Sequence, residues 1–328
     1  MIVVDKLTKR FGDIDVVHDV SFTVERGEIL GFLGPNGAGK TTTMRMLTCY
    51  YPPTRGSATV AGFDILNDSL EVRKRVGYMP ENVPLYQDLP VEAYLKFVAD
   101  AKGVSARERH KHVEQIMSET ALLQVRHYPI STISRGFRQR VGLAQAIVGH
   151  PDVLILDEPT VGLDPEQIVE IRALIKSLAA RSTVILSTHI MPEVESMCGR
   201  VVIIDDGRIR EVDTVDNLRA RLAEGGLAEI VVHGASPADV TAALSGLRGV
   251  NQVVDVAAEG EARRYHIKTN GSREQLGAVA AAIVNKGWGL LELHQKTDSL
   301  EDIFIRVVSK GRTDQDTASI QPDKKEAS

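Results

Sequence analysis

The chain has 328 residues, of which 43% are hydrophobic and 25% charged, a composition typical of globular proteins and sufficient for about two domains. Its formal net charge of -5 argues against nucleic acid as a partner, because binding to a phosphate backbone usually requires a basic face. The longest apolar runs fall far short of the ~20 residues that span a bilayer, so we expect that the chain does not cross a membrane by itself.

The first 33 residues are predicted to form strands at 2–4, 15–24 and 28–33. Phe11 precedes Gly12 on a predicted turn between the first two strands. An aromatic ring in that place would stack on a nucleotide base, although an isolated aromatic residue more often belongs to a core. Both roles therefore stay open for Phe11.

The third strand leads directly into a glycine-rich segment and then a predicted helix. The segment fits the phosphate-binding pattern G-x-x-x-x-G-K-[ST] and reads Gly34-Pro35-Asn36-Gly37-Ala38-Gly39-Lys40-Thr41-Thr42. The glycines let several N–H groups point inward, and the helix adds its own free N–H groups and its positive dipole end. Such a loop predicts that Lys40 reaches the β- and γ-phosphates of a nucleotide and that Thr41 places its hydroxyl on Mg²⁺.

The middle of the chain changes from strand to helix. A short strand is predicted at 76–80, and Glu81 follows it in a loop rich in Pro and Asn. Apolar residues then recur at helical spacing over 91–123, which predicts a helical subdomain at about 85–150. Near its end, Ser134 and Gly136 precede a helix that runs to about 148. These two residues would offer a hydroxyl and N–H groups to an anion, but an ordinary helix cap has the same pattern.

A buried strand over 153–158 ends in two adjacent carboxylates. Four apolar residues in a row are typical of a parallel strand covered on both faces, and ligands bind at the carboxyl ends of such strands. We expect Asp157 to hold Mg²⁺ and Glu158, whose side chain alternates to the other side, to take a proton from the attacking water.

A further buried strand over 183–188 ends at His189, and a turn over 160–165 with Asp164 leads into the helix between the two strands. An isolated histidine is more often structural. The position of His189 at a strand end beside the other predicted site residues favours contact with a γ-phosphate and alignment of the attacking water.

After a predicted boundary at Gly225-Gly226, the remaining elements are predicted in the order β-α-β-β-α-β, followed by a helix at 298–309. This order is the split βαβ arrangement. It has no concentration of catalytic residue types, so we interpret 225–310 as a regulatory or contact domain. Residues 311–328 are polar and lack periodicity, which predicts a disordered tail.

In this order, the motifs resemble the ATP-binding subunit of an ABC transporter over about residues 2–220. Six segments resemble family motifs: the Walker A loop at 34–42, the adenine-stacking aromatic at Phe11, the signature at Ser134–Gly136, Walker B with the catalytic glutamate at Val153–Glu158, the D-loop at Val161–Asp164 and the switch histidine at His189. The resemblance implies an α/β P-loop NTPase of ABC type over 1–223, with a mixed sheet core, an antiparallel β subdomain and a helical subdomain. The C-terminal domain would be α+β and ferredoxin-like.

The resemblance also implies the cofactors ATP and Mg²⁺. Glu158 and His189 would be catalytic, and Thr41, Glu81 and Asp157 would face the metal. The other nucleotide-binding residues would be the loop Gly34–Thr42 with Phe11, Ser134, Gly136 and Asp164.

Two positions depart from the family pattern. Glu81 stands where the family has a glutamine that contacts Mg²⁺ and senses the membrane subunit; glutamate keeps an oxygen but adds a negative charge near the γ-phosphate. Arg135 stands where the signature has a glycine, which makes close packing of that loop less favourable, although its charge would help to hold phosphate.

These variants, with Met79-Pro80-Glu81-Asn82 and Arg138-Gln139-Arg140, resemble the exporter branch in which a separate ABC-2 type permease supplies the channel, and within it the gliding-motility-associated ATPases. The resemblance implies a cytoplasmic protein, peripheral on the inner face of the cell membrane, that pairs head to tail with a second ATP-binding subunit as a homo- or heterodimer. One alternative is a soluble ABC ATPase switch whose C-terminal domain senses a ligand or partner. Another, an ATPase acting on ribosomes or DNA, is disfavoured because the chain has one ATPase half, no sustained heptads and an acidic balance.

Overall fold

A computed structural model describes residues 1–223, 226–269 and 273–296, together with residues 301, 303, 304 and 307. The chain divides into two compact units, Met1–Val215 and Asp216–Ser328. Most of the helix predicted at 298–309, and all of the tail predicted at 311–328, lie outside the described residues. Within the described residues, no helix has the length and apolar character needed to cross a membrane.

The first unit alternates strands and helices along the chain. In order, its elements are β1 (Ile2–Phe11), β2 (Ile14–Val24), β3 (Ile29–Leu33), α1 (Lys40–Leu47), β4 (Arg55–Val60), β5 (Phe63–Asp64), α2 (Ser69–Arg75), β6 (Val76–Met79), α3 (Val91–Ala101), α4 (Ala106–Glu119), α5 (Arg135–Ile147), β7 (Val153–Asp157), α6 (Pro165–Ala179), β8 (Thr183–Thr188), α7 (Met191–Met197), β9 (Arg200–Asp205) and β10 (Arg208–Thr214). Helix α8 (Val215–Ala223) begins at the last residue of this unit.

The strands of the first unit form two sheets. The antiparallel sheet has the order β2-β1-β4-β5. The larger sheet has the order β10-β9-β3-β8-β7-β6; its neighbours from β9 to β6 are parallel, whereas β10 runs antiparallel to β9. The predicted mixed sheet and antiparallel β sheet are therefore confirmed. Every residue of β7 and β8 is buried, as expected for central parallel strands that are covered on both faces.

The parallel strands position the predicted site residues. Because β3, β7 and β8 run in the same direction, their carboxyl ends lie at one edge of the sheet. The glycine-rich loop follows β3, Glu158 follows β7 and His189 follows β8. Phe11, which was predicted on a turn, is instead the last residue of β1, and the turn is formed by the two residues after it.

Helices α3, α4 and α5 pack against one another through apolar faces. The buried side chains of α4 recur at the three- and four-residue spacing of one helix face, at Val113, Ile116 and Met117. Its first turn is fixed by Ser105, whose hydroxyl oxygen accepts a hydrogen bond from the Glu108 N–H, while the Glu108 carboxylate accepts the hydroxyl proton at 2.7 Å.

The second unit is built around a four-stranded antiparallel sheet. Its remaining elements are β11 (Gly226–His233), α9 (Pro237–Ser245), β12 (Val250–Glu259), β13 (Ala262–Thr269), α10 (Arg273–Asn285) and β14 (Gly289–Lys296). The sheet has the order β12-β13-β11-β14. Alternate residues of β11 and β13, such as Ile230 and Tyr265, point into a core with apolar residues of α9 and α10. The order of elements matches the predicted β-α-β-β-α-β.

Candidate nucleotide-binding and catalytic site

The glycine-rich loop forms one wall of a cleft of about 320 Å³. The residues that line this cleft are Val16, Pro35, Asn36, Gly37, Ala38, Gly39, Lys40, Thr41, Thr42, Glu81 and Glu158. Gly39 has φ +98° and immediately precedes α1, so the loop reverses into the helix through a left-handed residue. Gly34 packs directly on β9: a Cβ atom there would lie 2.3 Å from the carbonyl oxygen of Ile204. The loop is thus pressed against the sheet at one end and turns sharply at the other.

Glu158, which lines the cleft, contacts two other predicted site residues. The Lys40 ammonium lies 3.4 Å from Glu158 Oε1, and both side chains are about 6% exposed. His189 Nδ1 lies 2.9 Å and 3.0 Å from the two Glu158 oxygens. Lys40 also donates hydrogen bonds to the carbonyl oxygens of Gly34 (2.7 Å) and Pro35 (3.2 Å). Glu158 therefore makes direct contact with two predicted site residues, Lys40 and His189, that are far from it in the sequence.

Glu158 reaches this position through an unusual backbone conformation. Strand β7 ends at Asp157, and Glu158 has φ +52°, a left-handed conformation that costs a non-glycine residue of order 1 kcal/mol. Its N–H donates to the carbonyl oxygen of Ser187 on β8 at 2.9 Å. The expected strand alternation between Asp157 and Glu158 is therefore not what orients the Glu158 side chain; the left-handed turn does.

Asp157 is fully buried, and neither carboxylate oxygen has a hydrogen-bond partner among the described residues. The hydroxyl of Ser187, its neighbour in register on β8, is likewise unpartnered within that part of the chain. Burial, with a contribution from the Asp157 charge, raises the pKa of Tyr78 to about 12. A buried, unpaired carboxylate is costly unless a cation binds it, so the donor set of Asp157 with Thr41 and Glu81 in the adjacent cleft fits Mg²⁺, which prefers such oxygens.

Phe11 is 41% exposed and is not among the residues that line the phosphate cleft. Its ring packs edge-on against Tyr51 with centroids 5.4 Å apart, and the Lys9 ammonium lies 5.0 Å from its centroid. The ring is therefore held in place at the surface rather than in the core.

Ser134, Gly136 and Asp164 do not line the phosphate cleft. Ser134 is the N-cap of α5 and accepts a hydrogen bond from the Phe137 N–H at 3.3 Å. Asp164 is the N-cap of α6 and accepts one from the Gln167 N–H at 2.9 Å. Ser134, Gly136 and Gln167 share the wall of a separate pocket of about 250 Å³. Within one chain Ser134 acts as a helix cap, and its anion-binding role stays a prediction.

Arg135 contacts the predicted D-loop of the same chain. Its guanidinium donates a hydrogen bond to the carbonyl oxygen of Val161 at 3.1 Å and covers Gly162, where a Cβ atom would lie 2.2 Å from the guanidinium carbon. Gly162 has φ +75°. Arg135 therefore packs closely on the predicted D-loop, because its side chain extends over a residue without a Cβ.

Several residues around the cleft were not found by sequence reasoning. Val16 lines the cleft from β2, and Gln139 donates a buried hydrogen bond to the carbonyl oxygen of Pro159 at 2.8 Å. Glu193 accepts hydrogen bonds from the hydroxyls of Thr160 and Thr188. Gln139 belongs to the run Arg138-Gln139-Arg140 that carries part of the family resemblance, but no role was predicted for it. Val16 and Glu193 belong to no motif, and the only signal for Glu193 is that it follows His189 by four residues, about one helical turn.

The family model described as "ABC transporter" matches residues 17–161. The linearmycin resistance ATP-binding protein of Bacillus subtilis is 30% identical over 95% of this chain and 99% of its own length. The chain belongs to the family of ABC transporter ATP-binding proteins. The Nod factor export ATP-binding protein I of Burkholderia lata is 34% identical over 93% of this chain and 96% of its own.

Solved structures agree with this assignment. The ABC transporter chain described as "Structure of ATP binding subunit of ABC transporter" is 31% identical, with a TM-score of 0.62 over 67% of this chain and 92% of that chain. A dimeric ATP-binding cassette bound to ADP and Pi has a TM-score of 0.60 at 23% identity and covers 66% of this chain, which supports the fold alone. As an ABC ATP-binding protein, the chain is an ATPase that binds and hydrolyses ATP.

Proposed function

We propose that this chain powers export through a separate ABC-2 type membrane permease. The observation that carries the ATPase part of this proposal is the contact of Glu158 with Lys40 in the phosphate cleft and with His189 beside it. The export part is supported by two relatives that are covered over nearly their full length and whose names refer to linearmycin resistance and to Nod factor export. The gliding-motility subgroup remains a proposal about ancestry and indicates no substrate.

The cleft suggests a division of roles. Lys40 and the N–H groups of the glycine-rich loop would bind the β- and γ-phosphates, and Mg²⁺ on Asp157, Thr41 and Glu81 would neutralise phosphate charge. Glu158 would accept a proton from the attacking water. His189, which lies within hydrogen-bond distance of both Glu158 oxygens, would hold that carboxylate in its orientation and contact the γ-phosphate.

We further propose a head-to-tail pair with a second ATP-binding subunit. Ser134 and Gly136 line a pocket that is separate from the phosphate cleft, so within one chain they cannot serve the nucleotide bound by Lys40. A second subunit would bring its own Ser134 and Gly136 to that nucleotide, with Asp164 nearby. The pairing partner would be a second copy or a related chain.

The proposed permease contact lies in a groove of about 770 Å³ between the sheet and α3. Its walls include the exposed aromatic residues Tyr50, Tyr86 and Phe97, with Arg73 and Lys74 at one side. This combination fits a short amphipathic helix with an acidic end. The loop that places Glu81 in the phosphate cleft continues to Pro84 in this groove, so a helix seated here would act on the metal side of the site.

The second unit is proposed to be a ferredoxin-like accessory domain, over about 225–310. Its element order and the sheet order β12-β13-β11-β14 support this arrangement. We also propose that the chain works in the cytoplasm at the inner face of the membrane, where the permease would hold it.

The catalytic assignment is tested by ATPase kinetics of Glu158→Gln and Lys40→Ala. The first should bind ATP normally and lose turnover by ~10²–10⁴, the usual contribution of a positioned general base. The second should lose nucleotide affinity as well as rate. Glu166→Gln, an exposed position on α6, is the matched control and should retain both. Turnover of Glu158→Gln within about threefold of wild type would rule out the proposed base.

The transport assignment is tested by purifying the tagged Glu158→Gln chain with ATP from detergent-solubilised native membranes. Recovery of a multi-span membrane protein, lost on Phe97→Asp but kept on the control Val169→Asp, would support both the permease and the groove. Recovery of ribosomes or only soluble partners would refute it. Slow turnover with strong ATP-dependent pairing and no membrane partner would favour a soluble switch instead.

A further inference from the structure

Glu193 is a fully buried carboxylate next to the candidate catalytic pair. It lies on α7, and its relative exposure is 0%. Thr160 donates its hydroxyl proton to Glu193 Oε1, and Thr188 donates to Oε2 at 2.8 Å. The Arg172 guanidinium of α6 lies 3.8 Å from Oε1. Both oxygens of Glu193 are therefore used, and each is used by a different segment of the chain.

The two threonines lie close in sequence to the candidate catalytic residues Glu158 and His189. Thr188 is the last residue of β8 and directly precedes His189. Thr160 is two residues beyond Glu158, in a tight turn where the Val161 N–H donates to the Glu158 carbonyl oxygen at 3.3 Å. One carboxylate thus connects the segment that carries Glu158 to the segment that carries His189.

This connection matters because Glu158 has a strained backbone. A left-handed non-glycine residue persists only where its surroundings fix it. The Glu158 N–H bonds to Ser187, and the Val161 N–H closes the turn on the Glu158 carbonyl oxygen. Two side-chain hydrogen bonds also hold this turn, from Thr160 to Glu193 and from Gln139 to the Pro159 carbonyl oxygen. The Thr188 hydroxyl also accepts the Ile190 N–H at 3.0 Å, which fixes the backbone on the far side of His189.

Burial of a carboxylate is costly, and hydrophobic residues of similar size would fill the same space with less penalty. The described contacts of Glu193 explain why the carboxylate is kept: both oxygens accept from hydroxyls of the Glu158 and His189 segments, and the Arg172 guanidinium, 3.8 Å away, partly compensates the buried charge. A carboxylate is the side chain that can accept from two hydroxyls at once without donating.

We propose that Glu193 is a positioning residue for ATP hydrolysis, which holds the Glu158 and His189 segments in register through Thr160 and Thr188. The inference rests on the proposed role of Glu158 as the base. Glu193 itself contacts no residue of the glycine-rich loop in the described hydrogen bonds, so its effect should fall on the chemical step and not on nucleotide affinity.

The first measurement is steady-state ATPase kinetics of Glu193→Gln in the full-length chain. Glutamine keeps the shape but offers one acceptor oxygen and one donor group, so it cannot accept from both hydroxyls. We expect kcat to fall by about ten- to a hundredfold, with KM for ATP within about twofold, as for a group that acts only on the transition state. Glu195→Gln, the same change two residues along α7, is the control and should keep kcat within about twofold.

Two substitutions of Thr188 provide a second test that does not depend on whether Glu193→Gln folds. Thr188→Val removes only the hydroxyl and nearly preserves shape, whereas Thr188→Ser keeps the hydroxyl. We expect Thr188→Val to lower kcat and Thr188→Ser to retain it, with melting temperatures of both recorded. If Glu193 were merely structural, the melting temperature would fall while kcat at a temperature where each variant is folded stayed at the wild-type value, and the proposal would be wrong.

The double variant Glu158→Gln with Glu193→Gln separates this inference from the proposed function. If Glu193 acts through Glu158, adding Glu193→Gln to Glu158→Gln should lower kcat by less than about twofold further. A full multiplicative loss would overturn the inference while leaving Glu158 as the base. Wild-type turnover of Glu158→Gln alone would instead refute the proposed base, whatever Glu193→Gln does.

Discussion

Substitution of Gly34 by alanine tests whether the glycine-rich loop must lie against β9. Gly34 does not have a positive φ, so alanine can adopt its backbone conformation. The obstacle is steric: the new Cβ would lie 2.3 Å from the Ile204 carbonyl oxygen, 2.9 Å from Ile204 Cγ2 and 3.1 Å from the Ala38 Cβ. The closest of these is a backbone atom of a buried strand, which cannot rotate away.

The expected losses of folding stability and ATP affinity in Gly34→Ala follow from these distances. Ordinary contact requires about 3.4 Å, so the loop must move by about 1 Å from the strand; overpacking of this kind costs roughly 1–3 kcal/mol. For a unit of this size, that predicts a fall in Tm of roughly 2–12 °C. The loop would also lose alignment with phosphate, and loss of even one charge-assisted hydrogen bond of about 1.5–3 kcal/mol weakens ATP binding about tenfold or more.

The assay is ATP titration by calorimetry together with thermal unfolding, and the matched variant is Gly37→Ala. Gly37 has φ +82°, and a Cβ there would meet nothing within 4 Å, so its cost is conformational strain of about 1–2 kcal/mol without a clash. We expect Gly34→Ala to weaken ATP binding more than Gly37→Ala does. Wild-type affinity and Tm in Gly34→Ala would refute the argument that contact with β9 positions the loop.

Two further predictions concern other parts of the first unit. Phe11→Ala should weaken ATP binding by about fivefold or more, since a base stacked on an aromatic ring is worth about 1–3 kcal/mol, but should leave binding of inorganic triphosphate unchanged; equal losses for both ligands would count against stacking. Hydrogen bonding to Arg126, and then to Lys96, lowers the pKa of Glu92 from 4.5 to about 2. Because the folded pKa is lowered, this stabilisation is complete above about pH 4.5 and is lost as the pH falls towards 2, so the Tm gap between wild type and Glu92→Gln should be present at pH 7 and close over that range.

Local patterns in the sequence predicted the elements that form the cleft. The glycine-rich loop could be recognised because its function depends on backbone geometry, and that geometry requires glycine and a following helix within nine residues. The apolar runs before Glu158 and His189 predicted parallel central strands, and parallel strands bring their carboxyl ends to one edge. These two local facts bring Glu158 and His189 to the same edge of the sheet, which is where the structure places them.

The remaining features depend on contacts between segments that are distant in the sequence. Strand alternation gave no indication that Glu158 is left-handed, because that conformation is imposed by the bond to Ser187 and the turn after it. The placement of Arg135 over Gly162 depends on the packing of two helix starts. A buried glutamate such as Glu193 has the same local pattern as one on a solvated helix face, and only the approach of Thr160 and Thr188 distinguishes them.

The negative charge of Glu81 is expected to weaken ATP binding to an extent that depends on Mg²⁺. Two carboxylates, Glu81 and Glu158, line the phosphate cleft, and a third, Asp157, is buried next to Glu158. Among the described residues that line the cleft, Lys40 is the one cationic side chain. Glu81 is exposed, so its repulsion of metal-free ATP should be about 0.5–1 kcal/mol after solvent screening.

Glu81→Gln should therefore tighten binding of ATP without Mg²⁺ by about two- to fivefold, and this gain should shrink as ionic strength rises. With Mg²⁺ present the gain should be smaller, because the carboxylate that repels phosphate also attracts the metal. The measurement is ATP affinity of both proteins with and without Mg²⁺ at two salt concentrations. Weaker metal-free binding in Glu81→Gln, or a gain that is independent of salt, would show that Glu81 acts through a direct contact and not through its charge.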